Sequence, residues 1–306
     1  YKRQPMNVST SVQFFDSFFS NMPSAVRKLH WFPNSVTVFD EFDKAMNPYD
    51  WKFAIAPLRD AAQSFNMRYI LSSGTSVYFW DIFDVNIDYS NIVDKKTYRK
   101  MLKMEKKRCK IKRMRGSIKN PNRLIKHAIK AMKSNNSGMF VMNTNKNAAR
   151  MACIFRENKH FENYEIYELH GWMTPKDKEV ALKKLKTDLK NSNKKILLFA
   201  TSTIECGVDL SFDVGWREYA PASNVFQCTG RINRGLKVEG AICYVFYFDQ
   251  QLVEDKVFSE NPEFLSGGRI LLEADSKNLT PNKCTEFMQL EIESKDSTET
   301  AKNADI

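Results

Sequence analysis

Residues 194–209 read KKILLFATSTIECGVD. The apolar run ending at Ala200 has the length and content of a buried strand. It stops abruptly in Thr201 and Ser202, small residues that let a backbone pass close to a ligand. Glu205, Gly207 and Asp209 follow at alternate positions. Asp209 can accept from a ribose hydroxyl or pair with an arginine. A strand that ends in a small-residue, acid-bearing loop is the way α/β proteins present a site at the carboxyl edge of a parallel sheet.

The rhythm on either side supports that fold. Upstream, a helix over 122–134 precedes a strand over 138–143 (GMFVMN), a helix over 145–157, a strand over 164–169 and a helix over 175–190. Downstream come a helix over 223–234 and a strand over 240–248. Such spacings are those of βαβ units with parallel strands. Nearer the N-terminus, 35–40 (SVTVFD) reads as a buried parallel strand, 54–66 as a helix and 67–75 (MRYILSSGT) as a second strand. The stretch 94–122 breaks the alternation with Gly116, Pro121 and little core material, and reads as a basic connector. No internal repeat is present, and 291–306 is polar enough to be disordered.

Two further local patterns carry chemistry. VFDEFDK places Asp40 and Glu41 directly after an apolar strand. Phosphoryl transfer to water needs a Mg²⁺ near the β/γ-phosphates and a group that orients the attacking water, and two adjacent carboxylates at a strand end suit those jobs. On its own such a pair is an ordinary loop entry. QCTGRINRG (227–235) sets Arg231 and Arg234 three apart, on one face of the predicted helix. Gly230 ahead of them allows close backbone approach. Guanidinium groups so placed suit a γ-phosphate, although a surface ion-paired couple is the simpler reading in isolation.

Composition narrows the field. The chain has 306 residues and a formal charge of +11. Lys95 to Lys133 holds 17 Lys and Arg against the single acid Glu105, so the rest of the chain is net acidic. Basicity concentrated in one segment argues for a polyanion contact, with a merely solvated connector as the alternative. The longest apolar run, Ala241 to Phe248, has eight residues, far short of the roughly 18 a membrane span needs. Six scattered cysteines without a C-x-x-C pair argue against a zinc ribbon and fit reduced thiols in a cytoplasm. The four histidines form no cluster, and none precedes an Asp.

Taken together, the acid pair, Ser73-Gly74-Thr75, Asn143-Thr144, Thr201 to Asp209 and Gln227 to Arg234 resemble motifs II, III, IV, V and VI of superfamily 2 helicases, in order. Within that superfamily the chain is most similar to the CRISPR-associated helicase–nucleases of type I systems. The closer likeness rests on STSVQFFDSFFS with VRKLHWFPNSVTVFDE, on LHGWMTPKDK around His170, and on GVDLSFDVGWREYAPASNVFQCTGRINRG.

The resemblance implies an α/β fold of tandem RecA-like lobes, the P-loop NTPase fold. The first lobe (1–93) would be truncated at its N-terminus, the basic linker would span 94–122, the second lobe (123–250) would be complete, and 251–306 would be a partly disordered extension. It implies an ATP-dependent 3′→5′ translocase on single-stranded DNA, recruited by a crRNA-guided CRISPR surveillance complex, with no membrane partner. Asp40 would hold Mg²⁺ and Glu41 would orient water. Gln227, Arg231 and Arg234 would face the γ-phosphate of ATP, with Gly207 and Asp209 lining the nucleotide cleft. Ser73 and Thr75 would couple hydrolysis to movement. Ser9, Thr10, Thr144 and Thr201 would touch the DNA backbone, joined by Lys110, Lys112 and Arg113 from the basic segment.

Three residue departures stand out, beside a larger absence. Asp43 replaces the family's usual His or Gln, altering an interlobe contact. Gly74 replaces an Ala, and Cys228 replaces an Arg, which removes one guanidinium from the cleft. No G-x-x-x-x-G-K-[ST] phosphate loop occurs, since no Gly precedes a Lys, and the family's HD nuclease is missing too. The expectation is a C-terminal portion that holds the arginine half of an ATP site and hydrolyses nothing alone. The competing reading is a non-catalytic, helicase-derived DNA-binding or interaction protein.

Overall fold

A computed structural model describes residues 6–46, 48–74, 77–204, 209–249, 286–290 and 292–293. The chain divides into two compact units, 1–90 and 91–306.

The first unit contains α1 (Ser11–Phe19), α2 (Pro23–Val26), β1 (Val36–Asp40), α3 (Trp51–Ser64), β2 (Arg68–Ser72) and α4 (Phe79–Ile82). Strands β1 and β2 run parallel, with Asp40 opposite Ser72 at their ends. The FFDSFF sequence of α1 feeds an aromatic layer: Phe14 and Phe15 lie 4.9 and 5.6 Å from the Phe39 ring of β1. Trp51 of α3 extends it onto Phe79 at 5.2 Å. Only one side of β1 is covered in this way. Phe39 is 6% exposed, whereas Val36 and Val38 are 59% and 61% exposed. The expectation of a strand buried on both faces is therefore corrected. Alternation sends the two valines to the side away from the aromatic layer.

The second unit contains α5 (Lys95–Arg108), β3 (Lys110–Arg113), α6 (Pro121–Ala131), β4 (Ser137–Val141), α7 (Asn145–Arg156), β5 (Tyr164–Leu169), α8 (Pro175–Asp188), β6 (Lys195–Ala200), β7 (Val214–Glu218), α9 (Ala222–Thr229) and β8 (Ile242–Phe246). Its six strands form one sheet in the order β3-β8-β7-β4-β6-β5, parallel throughout. Side chains alternate across each strand, and each face has its own core. Phe140, Phe199 and Trp216 meet Leu124 of α6 and Phe155 of α7 on one face. Met139, Leu198 and Cys243 meet Leu185 of α8 and Cys228 of α9 on the other. Four rings from adjacent strands line up as Phe199–Phe140–Trp216–Tyr244, at 4.7, 4.3 and 6.0 Å. Helices on both faces of a parallel sheet make this a doubly wound α/β unit.

Helix starts follow capping chemistry. Asp94, Asn120, Thr144 and Thr174 each stand at an N-cap and accept a backbone N–H of the first turn. Pro121 and Pro175 occupy first-turn positions where no N–H bond is lost.

Two elements depart from the expected order. The stretch 94–122 is not an irregular connector: it forms α5 and the edge strand β3, which pairs with β8 from Lys110↔Ile242 to Arg113↔Val245. Ile118 then bridges to Phe248 and is fully buried. Strand β7, VGWRE, was hidden because a Gly and two charged residues interrupt its apolar run.

Candidate nucleotide and nucleic-acid site

In the first unit, β1 delivers Asp40 to solvent and the chain turns sharply, with Glu41 in the left-handed region at φ 51°. Phe42 packs inward against Trp51 and Trp80. Asp43, 1% exposed, is drawn inward as well. Its Oδ1 accepts the Ser73 hydroxyl at 2.5 Å, so the segment after β1 is tied to the segment after β2 within the unit. Around Gly74 an added Cβ would meet nothing within 4 Å, so packing does not demand a glycine there. Thr75 lies outside the described residues. Ser9 and Thr10 are exposed, and Thr10 Oγ1 caps α1 by accepting Gln13 N–H at 3.2 Å.

In the second unit, all strands point the same way, so the segments after β4, β5, β6 and β7 share one rim. Thr144 caps α7 by accepting Asn147 N–H at 3.1 Å. Next to it Asn143 is held by three bonds. Its N–H donates to Glu218 Oε2 at 2.8 Å, its Nδ2 to Tyr219 O at 2.7 Å, and its Oδ1 accepts Arg217 Nη1 at 2.6 Å. Arg217 and Glu218 are 3% and 7% exposed. Burial pushes the Glu218 carboxyl up to about 6, opposed by the Asn143 N–H and the Arg217 charge. This network was not legible in the sequence, where WRE carries no site signature.

Also on the rim, His170 is buried, with Nε2 3.1 Å from Glu168 Oε2. Glu168 in turn binds Arg156 at 2.5 Å. Thr201, expected on a nucleic-acid backbone, is instead 6% exposed: its N–H donates to Leu169 O and its hydroxyl meets Thr203 Oγ1 at 3.3 Å.

The loop after β6 and the arginine segment are zipped together. Arg234 Nη1 binds Asp209 Oδ1 at 2.5 Å, Arg234 N–H donates to Ser211 Oγ at 3.0 Å, and Arg231 Nε donates to Ile204 O at 3.3 Å. Phe212 and Ile232 form a parallel bridge. The expected helix over 223–234 is corrected here. Helix α9 ends at Thr229, and the two arginines lie in the following turn. Beyond the helix Asn233 adopts φ 50°, its N–H donating to Phe212 O at 2.7 Å. Buried Asn233 also donates through Nδ2 to Arg108 O (2.9 Å) and Val238 O (2.7 Å). Arg108 completes the clamp, its Nη1 donating to Ile232 O at 3.0 Å and to Thr229 O. Neither Arg108 nor Asn233 was singled out from the sequence, because their roles depend on partners over a hundred residues apart.

Gln227 on α9 keeps its Nε2 shielded from solvent without a hydrogen-bond partner among the described residues. Such a buried donor normally has a partner. Together with the exposed Arg234, it gives this segment the donors a phosphate would accept. Cys228 faces the core beside Cys243 and is fully buried, so a guanidinium at that position would have to leave the core. Gly207 lies outside the described residues. Lys110, Lys112 and Arg113 are exposed along β3; lysines on an edge strand also discourage pairing with another sheet.

No group of three or more His, Cys, Asp or Glu able to hold a metal occurs among the described residues. Asp40, a single exposed carboxylate, fits Mg²⁺, which binds through one or two carboxylates plus substrate phosphates.

The parallel six-stranded unit has a RecA-like α/β fold, similar to that of solved helicase structures. Residues 134–237 match the family model described as CRISPR-associated nuclease/helicase Cas3, C-terminal. The resemblance to the CRISPR-associated helicase–nucleases holds across that stretch. Among solved structures, Cas3 of T. fusca is similar with a TM-score of 0.67 at 13% identity, over 94% of this chain and 40% of that one. Its AMPPNP complex gives 0.64 at 17% identity, over 92% and 37%. A chain of a CRISPR RNA-guided surveillance complex in a pre-nicking state gives 0.63 at 14% identity, over 94% and 42%. The chain thus spans less than half the length of each of these three structures. Comparison with curated protein sequences returned no match. No helix among the described residues is long and apolar enough to cross a membrane.

Proposed function

We propose that this chain supplies the arginine-bearing part of an ATP-driven 3′→5′ translocase on single-stranded DNA. It acts in CRISPR interference beside a crRNA-guided surveillance complex. The observation that carries the reading is the joining of Asp209 and Ser211 to Arg234, and of Ile204 to Arg231, inside the stretch that matches the Cas3 family model. In this reading Gln227, Arg231 and Arg234 meet the γ-phosphate, with Gly207 and Asp209 lining the nucleotide site. Asp40 holds Mg²⁺ and Glu41 orients the attacking water. Ser73, bonded to Asp43, couples hydrolysis to movement with Thr75. Ser9, Thr10 and Thr144 contact the DNA backbone, as does Thr201 once its loop rearranges to expose it. Support for the nucleotide comes from T. fusca Cas3, a similar protein solved with AMPPNP, ATP and ADP.

The chain alone carries no G-x-x-x-x-G-K-[ST], so it is expected to bind DNA without hydrolysing ATP. The test is a polypeptide that joins this chain to such a phosphate loop. Single-stranded DNA should stimulate its ATP turnover. Glu41→Gln should lower that turnover by about 10²-fold or more, and Arg234→Ala by about 10³-fold. Turnover that ignores DNA and both substitutions ends the reading.

A further inference from the structure

Helix α5 is the most charged element of the molecule. Its 14 residues, KKTYRKMLKMEKKR, hold one acid. At 100° per residue, Lys95, Arg99, Lys103, Lys96, Lys107 and Lys100 fall within an arc of about 140°. All six are exposed. The lone acid, Glu105, lies off that arc and is taken by Arg108 at 2.6 Å. Among the described residues none of the six takes part in an ion pair. Six like charges within about 21 Å of helix repel one another, and a face of this kind is relieved only by counter-charge.

The face is not a loose arm. Asp94 caps its start with bonds to the N–H groups of Lys96 and Thr97, at 2.9 and 3.0 Å. At its end Arg108 donates to Ile232 O while its own carbonyl accepts Asn233 Nδ2, and the chain passes directly into β3. The cationic arc is therefore fixed beside the segment that carries Arg231 and Arg234.

We infer that this arc is a docking surface for a nucleic-acid phosphate backbone, held without base readout. The inference rests on the translocase reading above and adds to it a contact surface separate from the loops of the sheet rim. Charge complementarity selects a polyanion. The opposite face disfavours a lipid surface: it offers Tyr98, Met101, Leu102 and Met104, interrupted by the Glu105–Arg108 pair, in place of the Trp, Phe and Leu face of a membrane-lying helix. Lysine and arginine without a reading element in a groove hold phosphates and ignore sequence.

The test uses the 306-residue chain and a fluorescent oligothymidylate of about twenty nucleotides, titrated by anisotropy from about 0.05 to 0.2 M salt. The variant carries Lys96→Gln, Arg99→Gln, Lys100→Gln and Lys103→Gln, which keep helix propensity and leave the Asp94 cap and the Arg108 anchor intact. Circular dichroism and thermal melting check that it folds as wild type. Affinity near 0.1 M salt should fall about tenfold or more, and the slope of log affinity against log salt should flatten by about 3, at about 0.7 per lost phosphate contact. A folded variant that binds within twofold of wild type with an unchanged slope overturns the inference. If Lys110→Gln, Lys112→Gln and Arg113→Gln then abolish binding, DNA contact stands and only the α5 surface falls. A wild-type chain that binds no nucleic acid sinks both. A duplex of equal length distinguishes single- from double-stranded partners, either of which supports the inference. Vesicles of phosphatidylcholine with a quarter phosphatidylserine form the last arm. Vesicle binding lost in the variant while oligonucleotide binding is kept would overturn the inference in favour of a lipid surface.

Discussion

Strands β1 and β7 have five residues each, VTVFD and VGWRE, and polarity alone does not account for what each buries. The apolar Val36 and Val38 stand 59% and 61% exposed, while the charged Arg217 and Glu218 are 3% and 7% exposed. The difference lies in their neighbours. Strand β7 has β4 on one side and β8 on the other, with helices on both faces. Strand β1 pairs with β2 in a two-stranded sheet covered by an aromatic layer on one side. A strand's place in its sheet therefore decides what it buries, and a central strand can bury charges provided their hydrogen bonds are met. Arg217 Nη1 donates to Asn143 Oδ1 and to the Glu218 carbonyl, and Glu218 Oε2 accepts the Asn143 N–H, which also ties the pair to the rim.

The contrast can be broken or sharpened in four ways. The largest effect belongs to Trp216 of β7, fully buried in the ring ladder with Nε1 donating to His127 at 3.0 Å. Trp216→Ala should cost about 3–5 kcal/mol, read by urea unfolding of the chain. A cost near zero would mean that the six-stranded core is not packed as described.

Next is the pH dependence of Glu218. Its carboxyl rises from 4.5 to about 6 on folding because it is buried. The folded state therefore binds the proton more tightly than the unfolded chain. The resulting stabilisation is complete below pH 4.5 and is lost as pH rises through about 6, amounting to about 2 kcal/mol. Glu218→Gln removes this dependence, so the variant should gain about that much relative to wild type between acidic and neutral pH. Parallel stability curves would show that Glu218 does not titrate as a buried group.

A smaller effect is expected at the Asp43–Ser73 bond in the first unit. Ser73→Ala leaves a buried carboxylate short of one donor and should ease local opening by about 1 kcal/mol. Faster hydrogen exchange at the amides of Val36–Asp40 would register it, and unchanged exchange would show that the bond does not join the two strand ends. The smallest belongs to Val38. Because its side chain is already in water, Val38→Thr should shift stability by no more than about 0.5 kcal/mol in the same urea experiment. A larger loss would show that the exposed side of β1 is covered in solution, and the contrast with β7 would narrow.

Much of the second unit was legible because its signals are local. The runs GMFVMN and KKILLFA, the caps Thr144 and Thr174, and the prolines at first-turn positions mark elements through chemistry that acts within a few residues. The acid pair after β1 and the Q-x-x-G-R-x-x-R pattern were legible for the same reason. The arginines were placed wrongly on a helix because the turn that carries them is set by distant partners: Phe212 O accepts the Asn233 N–H, and Arg108 O accepts Asn233 Nδ2. Strand β3 was read as connector because four residues, KIKR, become a strand only beside β8. The burial of Thr201 was not legible, because its N–H is taken by Leu169 O from the neighbouring strand end.

By itself, then, the sequence determined the parallel α/β character of the second unit, the concentration of cationic charge in one segment, and the order of the chemical motifs. These follow from periodicity, capping and charge count, which need no distant partner. Only the tertiary structure decided which charges are buried, where the arginines sit, and that the basic segment is a folded helix anchored beside them. Each of those outcomes depends on hydrogen bonds and packing between residues far apart in the chain, and such partners are unknown until the sheet is assembled.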